Sequence, residues 1–477
     1  MIMIRPLLVS ALALSAALAG CAVGPDFHRP DVGLPAAFSE SSAATASAAI
    51  DRNWWKLFSD EALNRLVDRA LADNANLQAA VARIEQADAV LREAGSALFP
   101  QVDLGTGASR SKISSVAGTP LPSTADPIRN NFQVGLSTAF ELDFWGKLRR
   151  ASEAARAQAL ATRHAHDTVA LTLVSQVTNT YLNLRSLDAQ IAVSRQTLAS
   201  REEALGIVRS RASSGLASDL DIQQSTSAVS GMRAQIADLE RQRAIAEHQL
   251  GVLTGDLEMS IPASGVDSLP MPPLPPAGLP SALLDGRPDI MQAEAQLAAA
   301  NAQIGVAKAQ LFPSISLTGN FGSQSKELSD LFGSAATIWS FGLALDLPIF
   351  DAGKRVARVE QATAQQKQAL ANYVQSIRNG FSEVRDALTA SEQYARSARA
   401  LQEQTAAAER TLELARKRYQ SGYSPYLEVL DAQRNANDAR LGYLRSRQAQ
   451  LSAAVSLYAA LGGGWYGKPE GIEAPPR

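Results

Sequence analysis

Ala94-Gly95-Ser96-Ala97-Leu98-Phe99-Pro100 and Ala307-Lys308-Ala309-Gln310-Leu311-Phe312-Pro313 are two versions of one passage. In each, an Ala-rich helical stretch stops at Leu-Phe-Pro and an alternating stretch begins. Outward from this pair the correspondence continues: Leu142-Asp143 matches Leu345-Asp346, and Gly146-Lys147 matches Gly353-Lys354. Arg211-Ala212-Ser213-Ser214-Gly215 matches Arg418-Tyr419-Gln420-Ser421-Gly422, and Gly255 matches Gly462. From Gly146 to Gly255 the offset is constant, so the long segments match without gaps. The chain is one fold written twice.

Each half reads as helix, strand, strand, long helix, long helix. The strands alternate with a period of two. Phe132, Val134, Leu136, Thr138, Phe140 and Leu142 share one face, and Gln133, Gly135, Ser137, Ala139, Glu141 and Asp143 the other. Trp339, Phe341, Leu343, Leu345 and Leu347 repeat the pattern against Ser340, Gly342, Ala344 and Asp346. Ile315, Leu317 and Phe321 do so against Ser316, Thr318 and Asn320, and Val102 and Leu104 more weakly against Asp103 and Gly105. Strands of about ten residues are long enough to cross a bilayer when tilted. An apolar face opposite a small or polar one suits a lipid-facing barrel with a wet lumen. It also suits an ordinary antiparallel sheet with one buried face. Four strands cannot close a barrel, and an open edge cannot lie in lipid, so a membrane sheet here requires more than one chain.

The helices are long. Lys147 to Arg211 contains no Pro and only Gly206 as an internal Gly, and Lys354 to Tyr419 contains no Pro and only Gly380. Each stretch would reach about 95 Å at the helical rise. Val169, Leu173, Val177, Leu184, Leu187 and Ile191 recur at coiled-coil spacing, as do Ile236, Leu239, Ala246, Leu250 and Leu253 on the returning helix. Gly215 and Gly422 mark the sharp turns of two antiparallel hairpins. The segments are therefore a removed leader (residues 1–20), a first repeat (21–255), a Pro-rich connector (256–286), a second repeat (287–464) and a tail (465–477). The first repeat holds strands at about 100–111 and 131–143 and a hairpin at 147–255. The second holds strands at about 313–324 and 337–347 and a hairpin at 353–462.

The leader has Arg5 as its positive region, an apolar run from Leu7 to Ala19, and Leu18-Ala19-Gly20-Cys21 at its end. The single cysteine of the 477 residues thus stands where a bacterial lipobox requires one, directly after the cut and at the acylated (palmitate-bearing) position. Residue 22 is Ala and not Asp, which by analogy with lipoprotein sorting favours the outer membrane. Charge is nearly balanced, 45 basic against 47 acidic residues, which argues against a nucleic-acid partner. After residue 20 no run is apolar enough for a membrane helix.

Catalytic patterns are missing. His164 and His166 are two apart and point to different helix faces, so they read as exposed helix residues and not as a zinc pair. The six Met are scattered and make no copper site. Gly353-Lys354 is followed by Arg, and no Gly stands five residues before it, so there is no phosphate loop. No enzyme and no cofactor are expected, apart from the covalent lipid on Cys21.

The sequence resembles the outer membrane factors of the TolC/OprM type, nearest the NodT-like lipoprotein branch, over nearly the whole mature chain. The resemblance rests on the lipobox, Trp54-Trp55-Lys56-Leu57-Phe58, the two Leu-Phe-Pro strand starts, Arg287-Pro288-Asp289-Ile290, and Tyr426-Leu427-Glu428-Val429-Leu430-Asp431-Ala432. It implies a mainly α fold with a β-barrel part. Three protomers would build a 12-stranded barrel in the outer membrane and an α-barrel in the periplasm. It also implies a periplasmic adaptor and an inner-membrane pump of the RND type, exporting small molecules. A duct for type I protein secretion would look the same, and a lipid-anchored coiled coil without a pore needs the helices but not the strands.

By resemblance, Glu428 and Asp431 form acidic rings at a constriction, and Tyr419 and Asp221 bridge neighbouring hairpins to hold it closed. Glu428 and Asp431 share one helix face, and acids there also suit the positive end of a helix. Ser218-Asp219-Leu220-Asp221 reads equally as a capping box. Where the TolC pattern has an Arg, this chain has Ser424, and Ser424-Pro425 reads as N-cap and first helical residue. Arg209, Arg211, Lys417 and Arg418 are the nearby cations that could replace that Arg. Ser214, Gly215, Leu216, Ser421, Gly422 and Tyr423 form the tips expected to dock the adaptor. Phe132, Phe140, Trp339 and Phe341 are candidates for lipid contact, and Trp54 and Trp55 for packing.

Overall fold

A computed structural model describes residues 22–39, 50–114, 127–275 and 280–464. Cys21, the leader and the tail lie outside them. The principal elements are α1 (Glu61–Asp73), α2 (Ala75–Ser96), β1 (Gln101–Lys112), β2 (Ile128–Leu142), α3 (Lys147–Ser213) and α4 (Asp219–Thr254). The second half has α5 (Pro288–Ala309), β3 (Ser314–Ser325), β4 (Thr337–Asp346), α6 (Lys354–Gln420) and α7 (Tyr426–Ala460). The repeat shows in the element lengths: α3 and α6 are each 67 residues. None of the helices among the described residues is long and apolar enough to cross a membrane.

The chain divides into two compact units. The first comprises Met1–Pro30, Glu85–Ala161 and Ala293–Asn372. Its centre is an antiparallel sheet in the order β1-β2-β3-β4, which leaves β1 and β4 as edges. The register aligns the alternating faces of all four strands. Leu104 lies opposite Leu136, Leu136 opposite Phe321, and Phe321 opposite Trp339. Two rows further along the same face, Phe140 pairs with Leu317 and Leu317 with Leu343. The other face aligns Asp103 with Ser137, Ser137 with Asn320, and Asn320 with Ser340. The apolar face is open: Trp339 is 76% exposed, Phe341 74% and Leu343 66%, while Phe132 and Phe140 are half-buried. An ordinary half-buried sheet would have covered these side chains.

Below the strands, Trp145 donates through Nε1 to the Pro313 carbonyl (2.7 Å) and stacks on Phe312 at 4.7 Å, tying the end of β2 to the start of β3. Asp143 accepts from the backbone N–H of Leu148 and Arg149 (both 2.9 Å), so the residue before the Gly146-Lys147 turn caps α3. The N-terminal segment is laid over this junction. Val23 donates to the Trp145 carbonyl (3.0 Å), Arg150 donates to Asp26 (2.6 Å), and Asn301 donates to the Pro25 carbonyl (2.9 Å).

The second unit comprises Asp31–Ile84, Thr162–Gln292 and Tyr373–Arg477. Its core gathers Trp54, Phe58, Leu63, Val67, Val177, Leu184, Leu250 and Leu451. Trp54 and Trp55 are buried, and Trp54 stacks on Tyr458 at 5.3 Å. Asp60 caps α1 through Ala62 and Leu63 and also accepts from the Tyr181 hydroxyl (2.8 Å). Arg185 donates to the same hydroxyl (3.1 Å), so a polar cluster is closed inside the core. Burial, with the Asp60 contact second, pushes the Tyr181 phenol far above its ordinary range. Arg287 is likewise buried and saturated, donating to the Ala460 carbonyl (2.9 Å) and to Asp289 (2.8 Å) and pairing with Glu383 (2.7 Å). Gly380 leaves it room, since a Cβ there would stand 3.1 Å from the Arg287 Nε. The Arg287-Pro288-Asp289 motif is therefore a lock between the start of α5 and the end of α7. His164, expected to be exposed, is 5% exposed: α3 is buried on several sides here, so its helical position did not reveal its environment.

The helical tips as a candidate constriction

Both hairpins turn by the same device. At the end of α3, Gly215 takes φ +72° and donates to the Ala212 carbonyl (3.0 Å), and Leu216 donates to the Arg211 carbonyl (2.8 Å). At the end of α6, Gly422 takes φ +77° and donates to Tyr419 (3.0 Å), and Tyr423 donates to Arg418 (2.9 Å). This is the paired closure of a Schellman end, which needs a left-handed residue and so a Gly. The turns push apolar groups outward: Leu216 is 71% and Tyr423 81% exposed. Ser214 and Ser421 are exposed beside them.

The returning helices start differently. Ser218 and Asp221 form a reciprocal capping box on α4. The Asp221 carboxylate accepts from the Ser218 N–H (3.0 Å) and hydroxyl (2.8 Å), so the capping reading of this motif is the observed one. On α7 the cap position is Pro425, with no side-chain cap, and Tyr426 is the first helical residue. Ser424 is therefore not the N-cap expected from its sequence, and its Oγ has no hydrogen-bond partner among the described residues. Proline lacks an N–H and is fixed in φ, so it fits the cap position seen here as well as the first helical one.

Beneath the turns, Val208, Ala415, Tyr426, Val429 and Ala432 form a small buried cluster, with Ile222 and Tyr419 packed against it. All four helix ends meet in it. Glu428 and Asp431 lie on the first turns of α7, and each has a cation beside it. Arg418 reaches Glu428 at 3.2 Å and Arg434 reaches Asp431 at 3.1 Å. All four side chains are substantially exposed, so each pair contributes about 0–1 kcal/mol to stability. Their effect is on the local field, where two acids are offset by two arginines. The Arg434 pair is an i,i+3 spacing visible in the sequence, whereas the Arg418 pair crosses the turn and has no helical spacing to announce it. Tyr419 and Asp221 are not brought together within the protomer. Tyr419 faces Arg211, whose guanidinium carbon stands 5.0 Å from the ring centre.

An exposed apolar sheet with open edges, carried with paired 67-residue helices that end in matching tips, defines a channel subunit of the outer membrane. The model of the outer membrane efflux protein family matches residues 66–256 and 279–463, one match per repeat, and the chain belongs to that family. It is 36% identical over 455 residues to the cation efflux system protein CusC of Escherichia coli, covering 94% of this chain and 97% of that one. It is 36% identical over 462 residues to the outer membrane protein OprJ of Pseudomonas aeruginosa, covering 96% of each. Among solved structures, the CmeC outer membrane channel of Campylobacter jejuni superposes with a TM-score of 0.88 at 27% identity, over 93% of this chain and 95% of that one. The chain is thus the outer-membrane channel component of an efflux system, set in the outer membrane and extending into the periplasm.

Proposed function

We propose that three copies of the chain form one export duct, held in the outer membrane by a lipid on Cys21 and fed by a periplasmic adaptor and an inner-membrane pump of the RND type. The observation that carries this reading is the open apolar face of a sheet whose two edge strands are unpaired. In lipid such edges need partners, and three sheets of four strands make an even barrel of twelve. The N-terminal segment supports the anchor: Ala22, the residue after Cys21 in sequence, packs against Gly146, four residues past the end of β2. Metabolic labelling with a palmitate analogue is expected to mark the wild type and to be lost in Cys21→Ser. An unlabelled wild type would remove the anchor.

The tips are the proposed constriction and docking site. Glu428 and Asp431 would ring the bore, and Leu216 and Tyr423 would present apolar contacts to the adaptor. The cargo is proposed to be small molecules chosen by the pump. The chain is as close to CusC, named for cation efflux, as to TtgF of Pseudomonas putida, named for toluene efflux, at 36% in both cases. Equal likeness across such different cargo is what a shared duct would show. Photoreactive residues at Ser214 and Ser421 should capture a periplasmic adaptor in living cells. Capture of only further copies of this chain would count against a docking role.

A further inference from the structure

Five cations stand near the tip on α3 and α6: Arg416, which lines the same pocket as Arg211 and Tyr419, and the four named from the sequence, whose roles the structure separates. Lys417 is paired with Glu413 (2.7 Å) on its own helix, and Arg418 with Glu428 (3.2 Å) across the turn. Arg209 makes no hydrogen bond, ion pair or ring contact among the described residues. Arg211 makes no ion pair among the described residues, and its guanidinium stands over the face of the Tyr419 ring, 5.0 Å from the centre. Tyr419 in turn meets Tyr426, the two rings 5.2 Å apart and inclined by 55°. Tyr426 is buried in the cluster that joins the helix ends. Arg211, Tyr419 and Tyr426 therefore make one continuous contact from α3 through α6 to α7.

Two features make this contact a clasp and not incidental packing. Arg211 and Tyr419 occupy the last turns of the two outgoing helices, where a small movement of one hairpin against the other is felt most. A cation over an aromatic face is held by the ring quadrupole, and the attraction falls away once the cation leaves the face. The alternative partner of Tyr419 is already committed: Asp221 accepts from both the N–H and the hydroxyl of Ser218, and the Tyr419 hydroxyl makes no hydrogen bond among the described residues.

We propose that Arg211 is a gate-positioning residue, which holds the second hairpin against the first through the aromatic face of Tyr419. The proposal rests on the reading of the tips as the constriction. The contact engages the ring and not the hydroxyl, so the Tyr419 substitutions separate this clasp from a hydroxyl–carboxylate latch.

The test is the leak of the full-length protein, read as conductance in planar bilayers and as cellular entry of a large hydrophilic antibiotic. Arg211→Ala and Tyr419→Ala are expected to raise the leak about three- to thirty-fold. Tyr419→Phe should stay at the wild-type level and Arg211→Lys should fall between. Equal amounts of heat-resistant oligomer in the membrane show that the variants fold. A silent Arg211→Ala, or a Tyr419→Phe as leaky as Tyr419→Ala, would overturn the clasp, the latter in favour of a hydroxyl-based latch. The constriction itself is read separately, from Glu428→Ala with Asp431→Ala. If that double variant has wild-type conductance and selectivity, the reading of the tips as constriction fails, and this inference with it.

Discussion

Leu343→Arg is expected to stop the chain from reaching its membrane-inserted form. Leu343 lies in the middle of β4, 66% exposed, opposite Leu317 on the neighbouring strand. If that face meets hydrocarbon, a guanidinium there costs about 2–4 kcal/mol per copy near the bilayer midplane. The cost is repeated in every protomer of the barrel, so heat-resistant oligomers in the outer-membrane fraction should fall sharply. Ala344→Arg is the control. It stands one residue further along the same strand on the opposite face, where Ser316 is its partner. A wet lumen tolerates the charge, so Ala344→Arg should insert normally and alter only ion flow. Equal loss in both variants would mean that the two faces are not lipid and lumen.

Glu428→Ala combined with Asp431→Ala is expected to do more than remove a cation preference. In the wild type each acid stands beside an arginine, Arg418 or Arg434, so the four groups sum to zero formal charge per protomer. Removing both acids leaves two positive charges per protomer at the proposed constriction. The selectivity should therefore reverse from weakly cation-preferring to anion-preferring, by about an order of magnitude in the permeability ratio. Conductance should rise as well, because the arginines lose the partners that hold them. Adding Arg418→Ala and Arg434→Ala to the same protein should return selectivity to near neutral. Reversal potentials in a salt gradient measure all three states.

Much of the fold is legible in the chain because it is periodic. Three of the four strands alternate clearly, and the observed register brings Leu136, Phe321 and Trp339 into one row, as their alternation requires. The turn glycines Gly215 and Gly422 are readable because a Schellman end leaves few alternatives to glycine. What the sequence does not display are contacts between residues far apart along it. Tyr181 meets Asp60 across 121 positions and Arg287 meets the Ala460 carbonyl across 173. Neither has a local spacing to announce it. His164 shows the same limit for burial, since a helix packed on more than one side has no single apolar stripe to read. Ser424 shows the limit for caps: Ser-Pro is compatible with two helix starts one residue apart, and the structure takes the later, with Pro425 as cap and the buried Tyr426 as first helical residue.

The candidate site divides along the same line. The two acids, the turn residues and the Ser218–Asp221 box are local motifs and were visible. The cation placed on Tyr419 was one of four possibilities in the sequence, and only the meeting of α3 with α6 selects Arg211. The edges of the sheet are likewise a property of strand order and not of any one strand.

The channel assignment is tested most directly by reconstituting the purified, full-length protein into planar lipid bilayers and recording single-channel currents. Discrete conductance steps are expected from the heat-resistant oligomer, larger and of reversed selectivity in Glu428→Ala with Asp431→Ala. Folded oligomers that insert and yet pass no current, in the wild type and in that variant alike, would contradict a pore lined by this chain.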